Sequence, residues 1–101
     1  MSCHEAFRKL IIPLQECARE YGYALAVHGS LNRDIDLVAI PWVEGARDPV
    51  DLVYGLASVV QSITNYVDVI ECETKKPYGR LAWSIYIDRT TYIDLSVTPR
   101  S

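Results

Sequence analysis

Two aspartates one residue apart, Asp34 and Asp36, follow a Gly29-Ser30 pair after the short interval Leu31-Asn32-Arg33. On an extended strand, side chains two apart share a face, so Asp34 and Asp36 project side by side while Ile35 and Leu37 point the other way, into a core. Two carboxylates held this close repel and raise one pKa unless a cation joins them. Mg²⁺, or Mn²⁺ in its place, prefers oxygen donors and takes one or two protein carboxylates together with phosphate oxygens. The backbone N–H groups of a Gly-Ser turn could cradle that phosphate. A third acid, Asp94, interrupts the strand-like run Tyr92-Ile93-Asp94-Leu95-Ser96-Val97. Ile93, Leu95 and Val97 would face the core, which leaves Asp94 with Tyr92 and Ser96 on the opposite face. If that strand lies near Asp34 and Asp36, three carboxylates converge, an arrangement suited to two cations that activate an attacking hydroxyl and stabilise a leaving pyrophosphate.

Other polar and aromatic residues have simpler expected roles. His28, just before the turn, is expected to pack and hydrogen-bond at a strand end. Arg80 and the Lys75-Lys76 pair flank a loop expected to be solvated. Trp42, Trp83, Tyr86 and Tyr92 could stack a base, and each fits a core or a sheet surface equally well. Glu71, Glu73 and Asp88 read as surface charges. Cys3, Cys17 and Cys72 are odd in number and lack Cys-x-x-Cys or zinc spacing, so three reduced thiols are expected.

The elements that must position these groups follow from periodicity. Phe7, Leu10, Ile11, Leu14, Cys17, Ala18 and Tyr21 recur at three- and four-residue steps and predict a helix that Gly22 stops. Pro13 lies inside it and is expected to kink or split it near Ile12. Tyr23 to Val27 and Asp34 to Ile40 predict two strands paired as a hairpin, the second ended by Pro41. Asp48-Pro49 is a helix start with an N-cap acceptor and proline in the first turn. Leu52, Val53, Leu56, Val59, Val60 and Ile63 would form that helix's buried stripe, and Asn65 its end. Gly55 weakens the helix unless close packing requires it. Val67 to Glu71, Leu81 to Ile87 and Tyr92 to Val97 predict three further strands, the last two joined by a turn at Asp88-Arg89-Thr90-Thr91. The order α-β-β-α-β-β-β predicts an α/β (α+β) fold with both helices packed on a mixed sheet.

The 101 residues suffice for a single domain, 1–101, and the net charge of −3 disfavours a general DNA or RNA backbone binder. No apolar run has the length of a membrane span and the N-terminus lacks a signal-peptide pattern, so a cytoplasmic protein without membrane contact is expected.

Gly29-Ser30, then Asp34-Ile35-Asp36-Leu37, then Asp94 on a later strand resembles the DNA polymerase β-type nucleotidyltransferase superfamily, in its minimal single-domain form. The resemblance covers most of the chain. It implies that Gly29 and Ser30 contact a nucleoside triphosphate, that Asp34 and Asp36 ligate two metal ions, and that Asp94 joins the catalytic metal and helps activate an acceptor hydroxyl on a protein or RNA. The interval between Ser30 and Asp34 is shorter than the family's, and Arg33 would stand in there as a phosphate ligand. The wording from His28 to Trp42 and from Tyr92 to Val97 also resembles small proteins of bacteriophages and prophages, implying a bacterial or phage-infected cell. Two functions follow as expectations: metal-dependent nucleotidyl transfer, or a catalytically silent, phage-encoded module of the same fold that contacts a host or cognate protein. The short interval and small size motivate the second.

Overall fold

A computed structural model of the chain describes residues 2–29, 34–72 and 79–99. The elements are α1 (Cys3–Glu20), β1 (Tyr23–His28), β2 (Ile35–Pro41), α2 (Pro49–Thr64), β3 (Asp68–Glu71), β4 (Leu81–Tyr86) and β5 (Tyr92–Val97). This is the α-β-β-α-β-β-β order expected from the sequence.

Helix α1 opens where the Ser2 hydroxyl accepts from the Glu5 N–H at 3.2 Å, and closes at Gly22, whose φ of 91° admits glycine readily. Of the kink or split expected at Pro13, the split does not occur: the helix is continuous from Cys3 to Glu20. Proline removes one amide bond, to the carbonyl four residues back. That carbonyl belongs to Lys9, an exposed residue, so water can satisfy it. The fully buried stripe is Ala6, Leu10, Leu14 and Ala18, with Phe7, Ile11, Cys17 and Tyr21 packed at its margins.

Helix α2 starts as expected. The Asp48 carboxylate accepts from the Val50 N–H at 2.8 Å, and the helix ends on Asn65 in the left-handed region, φ 62°. Its buried residues are Leu52, Val53, Leu56, Ala57 and Val60; Ile63, expected in the stripe, is exposed because it lies in the last turn. Close packing does account for Gly55. A Cβ there would come within 2.7 Å of the Tyr21 ring, so the missing side chain lets the end of α1 lie against α2.

The strands form one sheet in the order β1-β2-β5-β4-β3. β1 and β2 are the expected antiparallel hairpin, β2 and β5 run parallel, and β4 pairs antiparallel with both β5 and β3. β2 begins at Ile35 rather than Asp34 and retains Pro41 opposite Tyr23; β3 begins at Asp68 rather than Val67. Pro41 is tolerated because it stands at the strand's last position.

Alternation then divides the sheet. Tyr23, Leu25, Ile35, Leu37, Ala39, Trp83, Ile85, Ile93, Leu95 and Val97 join the buried residues of both helices in a single core. Each fully buried Leu or Ile contributes about 1.5–3 kcal/mol. Both helices therefore cover one face, and the residues of opposite parity stand on the other. No helix of the described residues is long and apolar enough to cross a membrane.

Candidate functional site

The three aspartates lie on the face away from the helices. Their strand neighbours Ile35, Leu37, Ile93 and Leu95 are at most 2 % exposed on the core side, which forces residues 34, 36 and 94 outward. Asp36 and Asp94 are Cα partners across the parallel β2–β5 pair, so their carboxylates are immediate neighbours. On either side of them the row continues with His28 of β1, opposite Asp36, and Ser84 of β4, opposite Asp94. Asp34 precedes β2 and its side chain bonds with the Tyr92 hydroxyl. Tyr92 in turn packs on Tyr86, with ring centroids 5.1 Å apart and planes inclined by 37°.

The charges interact. Burial raises the Asp36 carboxyl above the ordinary carboxylate range, the charges of Asp94 and Asp34 raise it further, and His28 opposes them. The Tyr92 phenol is raised by the Asp34 charge first, then by burial and by Asp94. Asp36 is thus held among negative neighbours, a state that a bound cation would relieve. Among the described residues no group of three or more His, Cys, Asp or Glu side chains is gathered as a ready-made metal cage. Asp36 and Asp94 are the paired carboxylates that could contribute to a Mg²⁺ shell, which is otherwise completed by water and phosphate oxygens.

Gly29 closes the site from the β1 side. Its φ is 85°, and a Cβ on it would run into the Asp36 carboxylate oxygen, so glycine lets the chain turn directly against that acid. Ser30 and Arg33, the other expected phosphate contacts, lie outside the described residues, as do Lys75, Lys76 and Glu73.

A cavity of about 160 Å³ opens over this part of the face and is lined by His28, Asp36, Val38, Arg80, Asp94 and Ser96. Two expectations are corrected here. His28 is exposed and stands opposite Asp36 rather than packing away at the strand end, because it is the last residue of β1, an edge strand. Arg80 is half-buried against the cavity rather than in a solvated loop, because it immediately precedes β4, next to the β5 strand that carries Asp94. Its parity with Ala82 and Ser84 was the available signal. Of the aromatics, Trp83 belongs to the core and Tyr86 and Tyr92 flank the acids. Trp42 is 62 % exposed and lines a larger cavity, about 920 Å³, at the opposite end of β2 and β5. The acids there are Glu44 and Asp48, and Asp48 caps α2. Asp88 is more than a surface charge: its Oδ1 accepts from the Thr90 and Thr91 N–H groups at 2.9 and 2.7 Å and holds the β4–β5 turn. The cysteines are all free thiols, and burial followed by the Glu20 charge raises Cys17.

No protein-family model matches this chain, and no curated protein sequence matches it.

Proposed function

We propose that the chain is a metal-dependent nucleotidyltransferase, moving a nucleotidyl group from a nucleoside triphosphate to a hydroxyl on a protein or RNA partner in the cytoplasm of a bacterial or phage-infected cell. The observation that carries this reading is the cross-strand pairing of Asp36 with Asp94, on the side of the sheet away from the helices, beside a glycine turned against Asp36. Asp36 and Asp94 would hold Mg²⁺ or Mn²⁺. When bound, the ion would supply charge stabilisation at the phosphoryl oxygens. Asp94 would also accept the proton of the attacking hydroxyl as its oxygen bonds to the α-phosphorus, while the bond from that phosphorus to the bridging oxygen breaks and pyrophosphate leaves with the electron pair. Asp34, oriented by Tyr92, adds negative charge that strengthens cation binding. Gly29 lets the chain approach a phosphate closely, with Ser30 and Arg33 as further contacts.

Thermal melting with Mg²⁺ or Mn²⁺ and each nucleoside triphosphate tests the proposal. A ligand at one hundred times its Kd adds about 2.7 kcal/mol to the folded state, and Asp36→Asn should remove that gain without unfolding the protein. Transfer of a nucleotide labelled at its α-phosphate to a co-purified acceptor is the direct assay. A chain that shows neither the shift nor the transfer leaves the second reading, a catalytically silent module acting through protein contact. The three-residue interval between Ser30 and Asp34 favours that alternative.

A further inference from the structure

β1 and β3 are the two edges of the sheet, and they are built differently. β3 has an acid at each end, Asp68 and Glu71, and such charges discourage the addition of a further strand. β1, Tyr23-Ala24-Leu25-Ala26-Val27-His28, carries no lysine, proline or acid. Its backbone is also open. The Ala39 carbonyl accepts from the Thr98 N–H at 3.0 Å on the β5 side, so Leu25, opposite Ala39, is not in a hydrogen-bonded pair with β2. By alternation, Leu25 and Val27 turn their peptide groups off the edge. Gln15 of α1 donates to the Leu25 carbonyl at 3.2 Å, and no group among the described residues bonds those of Val27.

The helix beside this edge is self-complementary. α1 and β1 run in opposite directions through the Gly22 turn. From the Gln15–Leu25 contact, three residues back along α1 span about 4.5 Å and two residues on along β1 about 6.6 Å, which brings Ile12 and Val27 to one level. Both are exposed, by 57 % and 42 %. Glu5, Arg8, Ile12, Glu16 and Arg19 recur at three- and four-residue steps and so share one face of α1. Arg8 and Glu16 stand four residues either side of Ile12, and Glu5 and Arg19 seven residues either side. Each of these pairs has opposite signs, and all four side chains are exposed. Arg8, Glu16 and Arg19 make no ion pair among the described residues. We infer that α1 and β1 form an interface with a second copy of this chain, about a two-fold axis passing beside Ile12 and Val27. That rotation lays the two α1 helices antiparallel, with Arg8 of each copy against Glu16 of the other and Glu5 against Arg19. Ile12 and Val27 meet their own equivalents, and the Val27 peptide groups pair and join the two five-stranded sheets. A two-fold contact requires this kind of self-complementarity, because the same patch serves on both sides. The inference goes beyond the proposed function and does not depend on it.

The test is sedimentation velocity of the whole chain from about 1 µM to about 100 µM, which brackets micromolar dissociation constants. Wild type should reach twice the mass of the chain at the upper end. Arg8→Glu sets like charges together at both symmetry-related contacts and should weaken dimerisation at least tenfold, equivalent to about 1.4 kcal/mol. Arg8→Glu combined with Glu16→Arg reverses each pair, keeps the net charge of the chain and should restore the dimer. That recovery separates a facing pair from a general effect on charge or folding. Val27→Lys places a guarding charge on the edge and should leave a monomer with the melting temperature of dilute, monomeric wild type. Added salt should weaken the wild-type dimer, since the pairs lie at the surface. The inference is overturned if wild type stays monomeric throughout, even where it captures some other protein. It is equally overturned if Arg8→Glu or Val27→Lys dimerises as wild type does, or if the double variant associates no better than Arg8→Glu.

Discussion

Replacing Asp36 by asparagine should stabilise the metal-free protein and destroy its response to magnesium. Adjacent strands lie about 4.8 Å apart, and two unit charges at that separation in water repel by about 0.9 kcal/mol. Physiological salt, with a Debye length of about 8 Å, reduces this to about 0.5 kcal/mol. Asp34, two residues along at about 6.6 Å, adds about 0.3 kcal/mol after the same screening. Relief of about 0.8 kcal/mol raises the Tm of a domain this size by roughly 3–6 °C. The sign with pH follows from the raised Asp36 carboxyl. Its ionisation costs stability at neutral pH, and the cost fades as pH falls through the raised value, so the advantage of the variant should fade there too. Urea unfolding in EDTA and in saturating Mg²⁺, at neutral and acidic pH, measures all of this. In EDTA at neutral pH the variant should be the more stable protein; in Mg²⁺ the order should reverse. A variant that is less stable in EDTA, or that gains as much from Mg²⁺ as wild type, refutes the reasoning.

Two further outcomes depend on local geometry. Gly29→Ala places a side chain at φ 85° and against the Asp36 carboxylate. It should cost about 1–2 kcal/mol in urea unfolding and blunt the Mg²⁺ response by displacing Asp36. Asp88→Ala removes the acceptor of the Thr90 and Thr91 amides and should cost about 1 kcal/mol at neutral pH. Because those amides hold the Asp88 carboxyl below the usual range, wild type keeps this stability above the unfolded carboxylate pKa and loses it as pH falls through the lowered value. Acid unfolding curves of the two proteins should therefore converge.

Much of this was legible from local signals. Gly22, Asp48-Pro49 and Asn65 act within a turn of where they stand, so helix ends could be read directly. The strands around Asp36 and Asp94 alternate strictly, which set the face of each acid before any pairing was known. Whether Pro13 would split α1 was not legible, because its cost depends on whether the Lys9 carbonyl reaches water, a matter of position on the surface. His28 and Arg80 misled because each stands next to turn residues, and turn composition says nothing about what lies across the sheet.

The sequence by itself determined which residues form helix and strand and on which side of its own strand each carboxylate projects, because 3.6- and two-residue periods are properties of the local backbone. Only the tertiary structure decided that β5 inserts between β2 and β4. Strand order is chosen by the burial of a common core beneath two helices, and that choice set Asp94 beside Asp36 across 58 residues of chain, with Arg80 near both.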